Sequence, residues 1–114
     1  MNRRKKGQRT ELKARRWAEG QGALYLAWHQ APRWATEQPF DGLVLKATQW
    51  PVCVEVRSNA WRTGDPATVQ LSRLPGEGYH KQIWRFQDGT DTPDIREWRG
   101  DTWQPVATIW EVLI

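Results

Sequence analysis

One cysteine, two histidines and one methionine stand among 114 residues, and each scarcity removes a class of explanation. A lone Cys53 excludes an internal disulfide and a zinc site built from cysteines. His29 and His80 are too few and too far apart in sequence to suggest a zinc site. No apolar run approaches the roughly 20 residues that a membrane helix needs. The opening MNRRKKGQRT has no apolar segment after its charges, so it does not read as a secretory signal. The expected location is the cytoplasm, of a host cell if the chain is phage-encoded, with no membrane partner. Hydrophobic content of 39% and charged content of 26% are those of an ordinary globular domain.

Negative charge is also missing from one place. Residues 1–16 carry eight bases against one acid, Glu11, a net of +7, while the rest carries nine bases and twelve acids, a net of −3. A basic segment on a mildly acidic body is the electrostatic footprint of phosphate binding. Residues 1–9 read as a basic flexible arm in which Arg3, Arg4, Lys5, Lys6 and Arg9 can track a phosphate backbone. Residues 10–114 read as one domain.

Thr10 is the expected N-cap of a helix of roughly 10 residues, with Ala14 and Ala18 on one face and Gly20 and Gly22 at its end. Alternation in ALYLAWHQ, FDGLVLKA and VCVEVRSNA predicts three strands, the last two joined by a turn at TQWP. The segment from Pro32 to Pro39 reads as a loop. A short helix is expected around Ala67–Leu74, then two strands, HKQIWRFQD and PDIREWRG, joined through Asp88-Gly89. The apolar ending is compatible with strand or helix. This order predicts an α+β or α/β domain on one mixed sheet.

Alternation within VCVEVRS puts Val52, Val54 and Val56 on one face and Cys53, Glu55 and Arg57 on the other. In a hairpin turning at Thr48–Pro51, Asp41 lies opposite Glu55 or Arg57. Two carboxylates and a cation then converge. Such an oxygen-rich set, completed by a main-chain carbonyl and waters, suits Mg²⁺, which activates water and steadies charge on a phosphodiester. The alternative is structural, with Asp41 capping a turn and Glu55–Arg57 forming an ion pair.

The pattern FDGLV…VCVEVRS resembles the PD-(D/E)XK nuclease core, a restriction-endonuclease-like domain with Asp on one strand and Glu-x-Lys on the next. The opening KKGQRTELKARRWAEGQGA is similar to the start of archaeal-type Holliday junction resolvases. That resemblance implies a Mg²⁺-dependent endonuclease, with Mn²⁺ as a substitute, acting as a homodimer on four-way DNA junctions. It implies catalytic roles for Glu11, Asp41, Glu55 and Arg57, with Asp41, Glu55, Val56 (carbonyl) and Glu11 toward the metal. Arg57 stands where the family has lysine. Leu12 stands where the resolvases have arginine, with Arg9, Arg15 and Arg16 as substitutes. Arg33 and Trp34 fall in the loop before the Asp41 strand and Arg62 just after the Glu55 strand, all in reach of DNA. Two rivals stay open: another PD-(D/E)XK enzyme acting on flaps or duplex in repair or restriction, and an inactive DNA-binding module.

Nine tryptophans are more than a small core ordinarily uses. Trp17, Trp28 and Trp84 read as core. Trp98, Trp103 and Trp110, with Ile109, Val112, Leu113 and Ile114, are expected to supply a homodimer interface. Arg73 and Lys81 read as solvated.

Overall fold

The computed structural model describes residues 3–27, 40–61 and 64–110, with side chains described from residue 9 onward. Helix α1 (Arg3–Gly20) precedes strands β1 (Leu24–Ala27), β2 (Gly42–Leu45) and β3 (Val52–Ser58). Helix α2 (Pro66–Ser72) then leads to β4 (His80–Phe86), β5 (Asp94–Trp98) and β6 (Trp103–Val106). The six strands form one mixed sheet in sequence order. All neighbours are antiparallel except β3 and β4, which run parallel and are linked through α2. The chain is therefore a mixed α/β domain, as the alternation predicted.

α1 begins at Arg3, eight residues before the Glu11 start that a Thr10 cap would give. Arginine and lysine are good helix formers, and a single Gly7 costs only about 1 kcal/mol. Thr10 is consequently a buried interior residue of α1, and the backbone of Arg3, Arg4, Lys5 and Lys6 is helical. Ala14 and Ala18 are fully buried. Their small side chains let α1 lie close on the sheet, with Trp17 packed at the edge of the cluster.

The face under α1 holds Tyr25, Ala27, Val44, Val52, Val54, Trp84, Phe86 and Ile95. β1 alternates as expected, but its polarity is inverted. Tyr25 and Ala27 face inward, while Leu24 and Leu26 are 53% and 42% exposed. On the opposite face Phe40, Cys53 and Leu71 form a smaller cluster with Leu43, Leu74, Tyr79 and Trp103. β3 thus divides as its alternation required, with valines under α1 and Cys53, Glu55 and Arg57 toward α2.

The β2–β3 turn is closed by Gln49 N–H donating to the Lys46 carbonyl at 3.1 Å, with Thr48 at φ 70°. α2 is short because both ends are fixed. Asp65 caps its start, accepting from the Thr68 N–H, and Pro66 occupies the first turn, an arrangement that suits the lost N–H of proline. Lys81 Nζ donates to the carbonyls of Ser72 at 3.0 Å and Leu74 at 2.7 Å. Lys81 is therefore a helix C-terminal cap and not the solvated lysine expected.

The chain's ending forms β6, followed by bends and a turn to residue 110. Ile109 is 2% exposed, Trp110 packs on the α1-side cluster and Trp103 on the other. Ile109 is core, and the two tryptophans are partly buried, Trp110 against its cluster and Trp103 against the opposite one. Of the residues expected at a dimer interface, Ile109 is therefore internal, Trp98, Trp103 and Trp110 keep part of their surface exposed, and Val112, Leu113 and Ile114 lie outside the described residues. No helix among the described residues is long and apolar enough to cross a membrane.

Behind β4 sits a buried polar network. Trp84 Nε1 donates to Gln82 Oε1 at 2.9 Å, and Gln82 Nε2 donates to Glu97 Oε1 at 2.9 Å and to the Ile109 carbonyl at 2.7 Å. Glu97 also meets His80 Nδ1 at 2.8 Å and Arg99 Nε at 3.2 Å. The buried side chains of this network partner one another, so His80 serves structure here.

Candidate active site

The site forms where β2 starts and β3 ends. Gly42 pairs with Val54 and Leu43 with Cys53, so one further position puts Asp41 beside Glu55. Asp41 N–H donates to the Val54 carbonyl at 2.9 Å. Its carboxylate Oδ2 accepts from the Val56 N–H at 2.8 Å. Asp41 is thus fixed at both backbone and side chain, half-buried, facing the next strand.

Glu55 is 3% exposed. Burial pushes its pKa from the ordinary 4.5 up to about 8, and the Asp41 carboxylate adds to the rise, while the Arg57 guanidinium opposes it. The proton is held more tightly in the folded chain than in the unfolded one, so ionising Glu55 costs stability. This contribution is fully present below pH 4.5 and is lost as pH rises toward about 8. Metal-free thermal melts should therefore fall across that window, and Glu55→Gln should flatten the fall; an unchanged slope in the variant would contradict the assignment.

Arg57 bridges two sets of acceptors. Its Nη1 donates to Glu55 Oε2 at 2.9 Å and to the Val56 carbonyl at 3.3 Å, and lies 4.0 Å from Asp41 Oδ2. Its Nη2 donates to Asp65 Oδ2 at 2.8 Å and to Thr68 Oγ1 at 3.0 Å. Burial works against ionisation of Asp65, but its Thr68 hydrogen bonds and Arg57 outweigh this and lower its pKa. A planar fork reaches both sets at once, which the single nitrogen of a lysine does not. The residue that departs from the resembled pattern is matched here by Asp65 and Thr68, the start of α2.

Tyr25 of β1 belongs to the buried cluster that holds Ala14 and Ala18 of α1. It is 3% exposed, and its hydroxyl has no hydrogen-bond partner among the described residues. Burial raises its pKa, and the charges of Asp41, Glu11 and Glu55 raise it further, while Arg15 opposes them. The charges of Glu11 and Arg15 on α1 and of Asp41 and Glu55 on the strands are therefore all felt at this hydroxyl. Among the three arginines offered for the Leu12 position, Arg15 is the one whose charge is felt here.

Gly42 makes room for this ring. A Cβ on Gly42 would meet Tyr25 Cζ at a distance no real pair of carbons tolerates. Gly42→Ala should cost about 1–3 kcal/mol through overpacking, read as a lower urea midpoint with an unchanged m-value.

The structure brings together Asp41, Glu55, Arg57 and the Val56 carbonyl, while Glu11 lies on α1. Among the described residues, no three of His, Cys, Asp and Glu gather into a metal-ligating group by themselves. Arg9 is exposed on α1. Arg33, Trp34 and Arg62 lie outside the described residues, as do His29 and Trp28, and only the backbone of Arg3 to Lys6 is described. Sequence reasoning missed Tyr25, Asp65 and Thr68. It also missed a stack on the sheet's α2 side, where Arg85 and Arg96 lie 4.8 Å and 4.1 Å from the Trp61 ring centroid. Arg85 is the register neighbour of Arg57. Arg96 neighbours Ile83, itself the neighbour of Glu55, so these cations share the carboxylates' face.

Comparison with protein-family models, with curated proteins and with solved structures finds no match for this chain.

Proposed function

We propose that the chain is a metal-dependent, structure-selective DNA endonuclease of the PD-(D/E)XK type, a Holliday junction resolvase by preference. The observation that carries this reading is the convergence of Asp41, Glu55 and the Val56 carbonyl on one point, marked by a single cationic nitrogen of Arg57. The order Glu11, Asp41, Glu55, Arg57 along the chain and the basic start support it.

The donor set fits a divalent ion. It is oxygen only, and three carboxyl groups (Asp41, Glu55 and Asp65) face one guanidinium. Burial and Asp41 hold the proton on Glu55, and a cation among these oxygens would favour its ionised form. Tyr25 adds a buried hydroxyl with hydrogen-bonding capacity left to use. Asp41, Glu55 and the Val56 carbonyl would hold Mg²⁺, or Mn²⁺ in its place, with Glu11 reaching through water; Mg²⁺ ordinarily keeps several waters. When bound, the ion supplies an activated water and offsets charge on the phosphodiester. Arg57 steadies the negative charge developing on the phosphoryl oxygens. Val56 N–H holds the Asp41 carboxylate in its orientation, and Asp65 with Thr68 holds the guanidinium. The arginines of α1, with Arg85 and Arg96 over Trp61, supply a sequence-independent grip on phosphates.

A homodimer follows from the need to cut two strands symmetrically. The exposed Leu24 and Leu26 on edge strand β1 are the surface we assign to it, and sedimentation of the Leu26→Lys variant tests that. Cleavage of four-way junctions, flaps and linear duplex side by side tests the substrate class; equal cleavage of linear duplex would replace the resolvase reading with a repair or restriction enzyme. One observation favours a second reading, an inactive DNA-binding module. Both terminal nitrogens of Arg57 are fully engaged, which is what a purely structural arginine would show. Binding without cleavage under any divalent ion would establish that reading.

A further inference from the structure

Arg57 Nη1 occupies the point on which the oxygen donors converge, within 2.9 Å of Glu55 Oε2 and 3.3 Å of the Val56 carbonyl. A divalent ion using the same oxygens and Nη1 exclude one another by size and charge. The other half of the guanidinium is tethered elsewhere, by Asp65 Oδ2 at 2.8 Å and Thr68 Oγ1 at 3.0 Å. We infer that Arg57 is a resident cation competing with the divalent ion for Glu55 and the Val56 carbonyl. Asp65 is the positioning residue that holds the guanidinium when Nη1 withdraws. This rests on the reading of the centre as a divalent-cation site.

The physical basis is a choice between two acceptor sets. Nη1 and Nη2 sit on one rigid plane, so a small rotation about the tethered Nη2 moves Nη1 off the Glu55 oxygen without releasing the arginine. Asp65 and Thr68 are rigidly placed for this. Thr68 is fully buried, its hydroxyl donates to Asp65 Oδ1 at 2.8 Å, and both belong to the capped start of α2. The tether also keeps positive charge beside the ion's site, in place to meet the substrate phosphate. A lysine at position 57 would have one nitrogen to place, on one set or the other.

The test is a Mn²⁺ titration of the full chain followed by the electron paramagnetic resonance signal of free Mn²⁺, with no substrate present. Arg57→Gln removes the competitor and one positive charge, and Mn²⁺ affinity should rise at least tenfold. Asp65→Asn keeps a good helix cap but loosens the tether, leaving the guanidinium to the Glu55 side; affinity should fall severalfold while the melting temperature hardly moves. In the Arg57→Gln background the Asp65→Asn change should have little effect, because Asp65 acts through Arg57. Circular dichroism establishes that each variant is folded. Unchanged or weaker Mn²⁺ binding by Arg57→Gln, with binding still abolished by Asp41→Asn, would overturn the competition and leave the metal centre standing. An Asp65→Asn effect of equal size in both backgrounds would overturn the tether. Mn²⁺ binding by none of the folded proteins would remove the metal centre and this inference with it.

Discussion

Asp41→Asn and Glu55→Gln are each expected to abolish cleavage of a four-way junction, by roughly 10³-fold or more, while leaving junction binding within a few-fold. Each substitution keeps the shape of the side chain and removes its charge. The amide introduced by Asp41→Asn retains an oxygen able to accept from the Val56 N–H, so the local backbone at β3 should be undisturbed. Glu55→Gln keeps an oxygen able to accept from Arg57 Nη1 but can no longer ionise to hold the ion. An effect of this size is in keeping with removing one preorganised group that meets charge in the transition state. On the proposed function, binding would rest on the basic start and α1, through phosphate contacts that depend on salt and not on the carboxylates. Gel-shift titration and single-turnover cleavage on the same preparations separate the two effects. Cleavage by either variant at a rate near that of the unmodified chain would remove the assignment.

Trp84→Ala is expected to be the most destabilising single change, by about 3–5 kcal/mol. That is a large part of the roughly 5–15 kcal/mol that holds a domain together. Trp84 is fully buried, its ring meets Trp17 edge-on at a centroid distance of 5.1 Å, and Tyr25 lies 6.4 Å away. Removing it opens a cavity between α1 and the sheet and strips Gln82 Oε1 of its donor. A milder Trp84→Phe keeps most of the apolar contact and isolates the cost of the orphaned oxygen, about 1–3 kcal/mol. Trp50, 59% exposed, is the control. Its alanine variant should stay within about 0.5 kcal/mol, since Trp110 bonds only its main-chain carbonyl. Comparable urea midpoints for Trp84→Ala and Trp50→Ala would contradict the core described.

What the sequence disclosed follows from the range of the interactions involved. β3 and its two faces were legible because alternation is local, and VCVEVRS keeps it for seven residues. The approach of Asp41 to the Glu55–Arg57 end of β3 was legible because a short turn limits the register. The choice of Glu55 was not, since the turn closes at Lys46–Gln49 and not at Thr48–Pro51. The start of α1 was not, because a run of like charges suggests an arm, whereas its residues favour helix and nothing beyond Gly7 interrupts them. The tether on Arg57 was not legible either. Asp65-Pro66-Ala67-Thr68 carries a plain cap signal, but no periodicity says that this cap folds back onto β3. Tyr25 was hidden for a related reason. The alternation of β1 leaves open which face α1 covers, and the larger leucines face away from it. At the end of the chain, composition did not say that Trp103 and Trp110 pack on opposite faces of the sheet, because that depends on the path after β6.

The central claim is that Asp41, Glu55, Arg57 and the Val56 carbonyl form a nuclease centre. The most direct measurement is incubation of the unmodified chain with an end-labelled four-way junction, with Mg²⁺ and with chelator in its place. The account predicts paired nicks near the branch point in Mg²⁺ and none in chelator. An intact junction in both, with the protein bound to it, would contradict the claim.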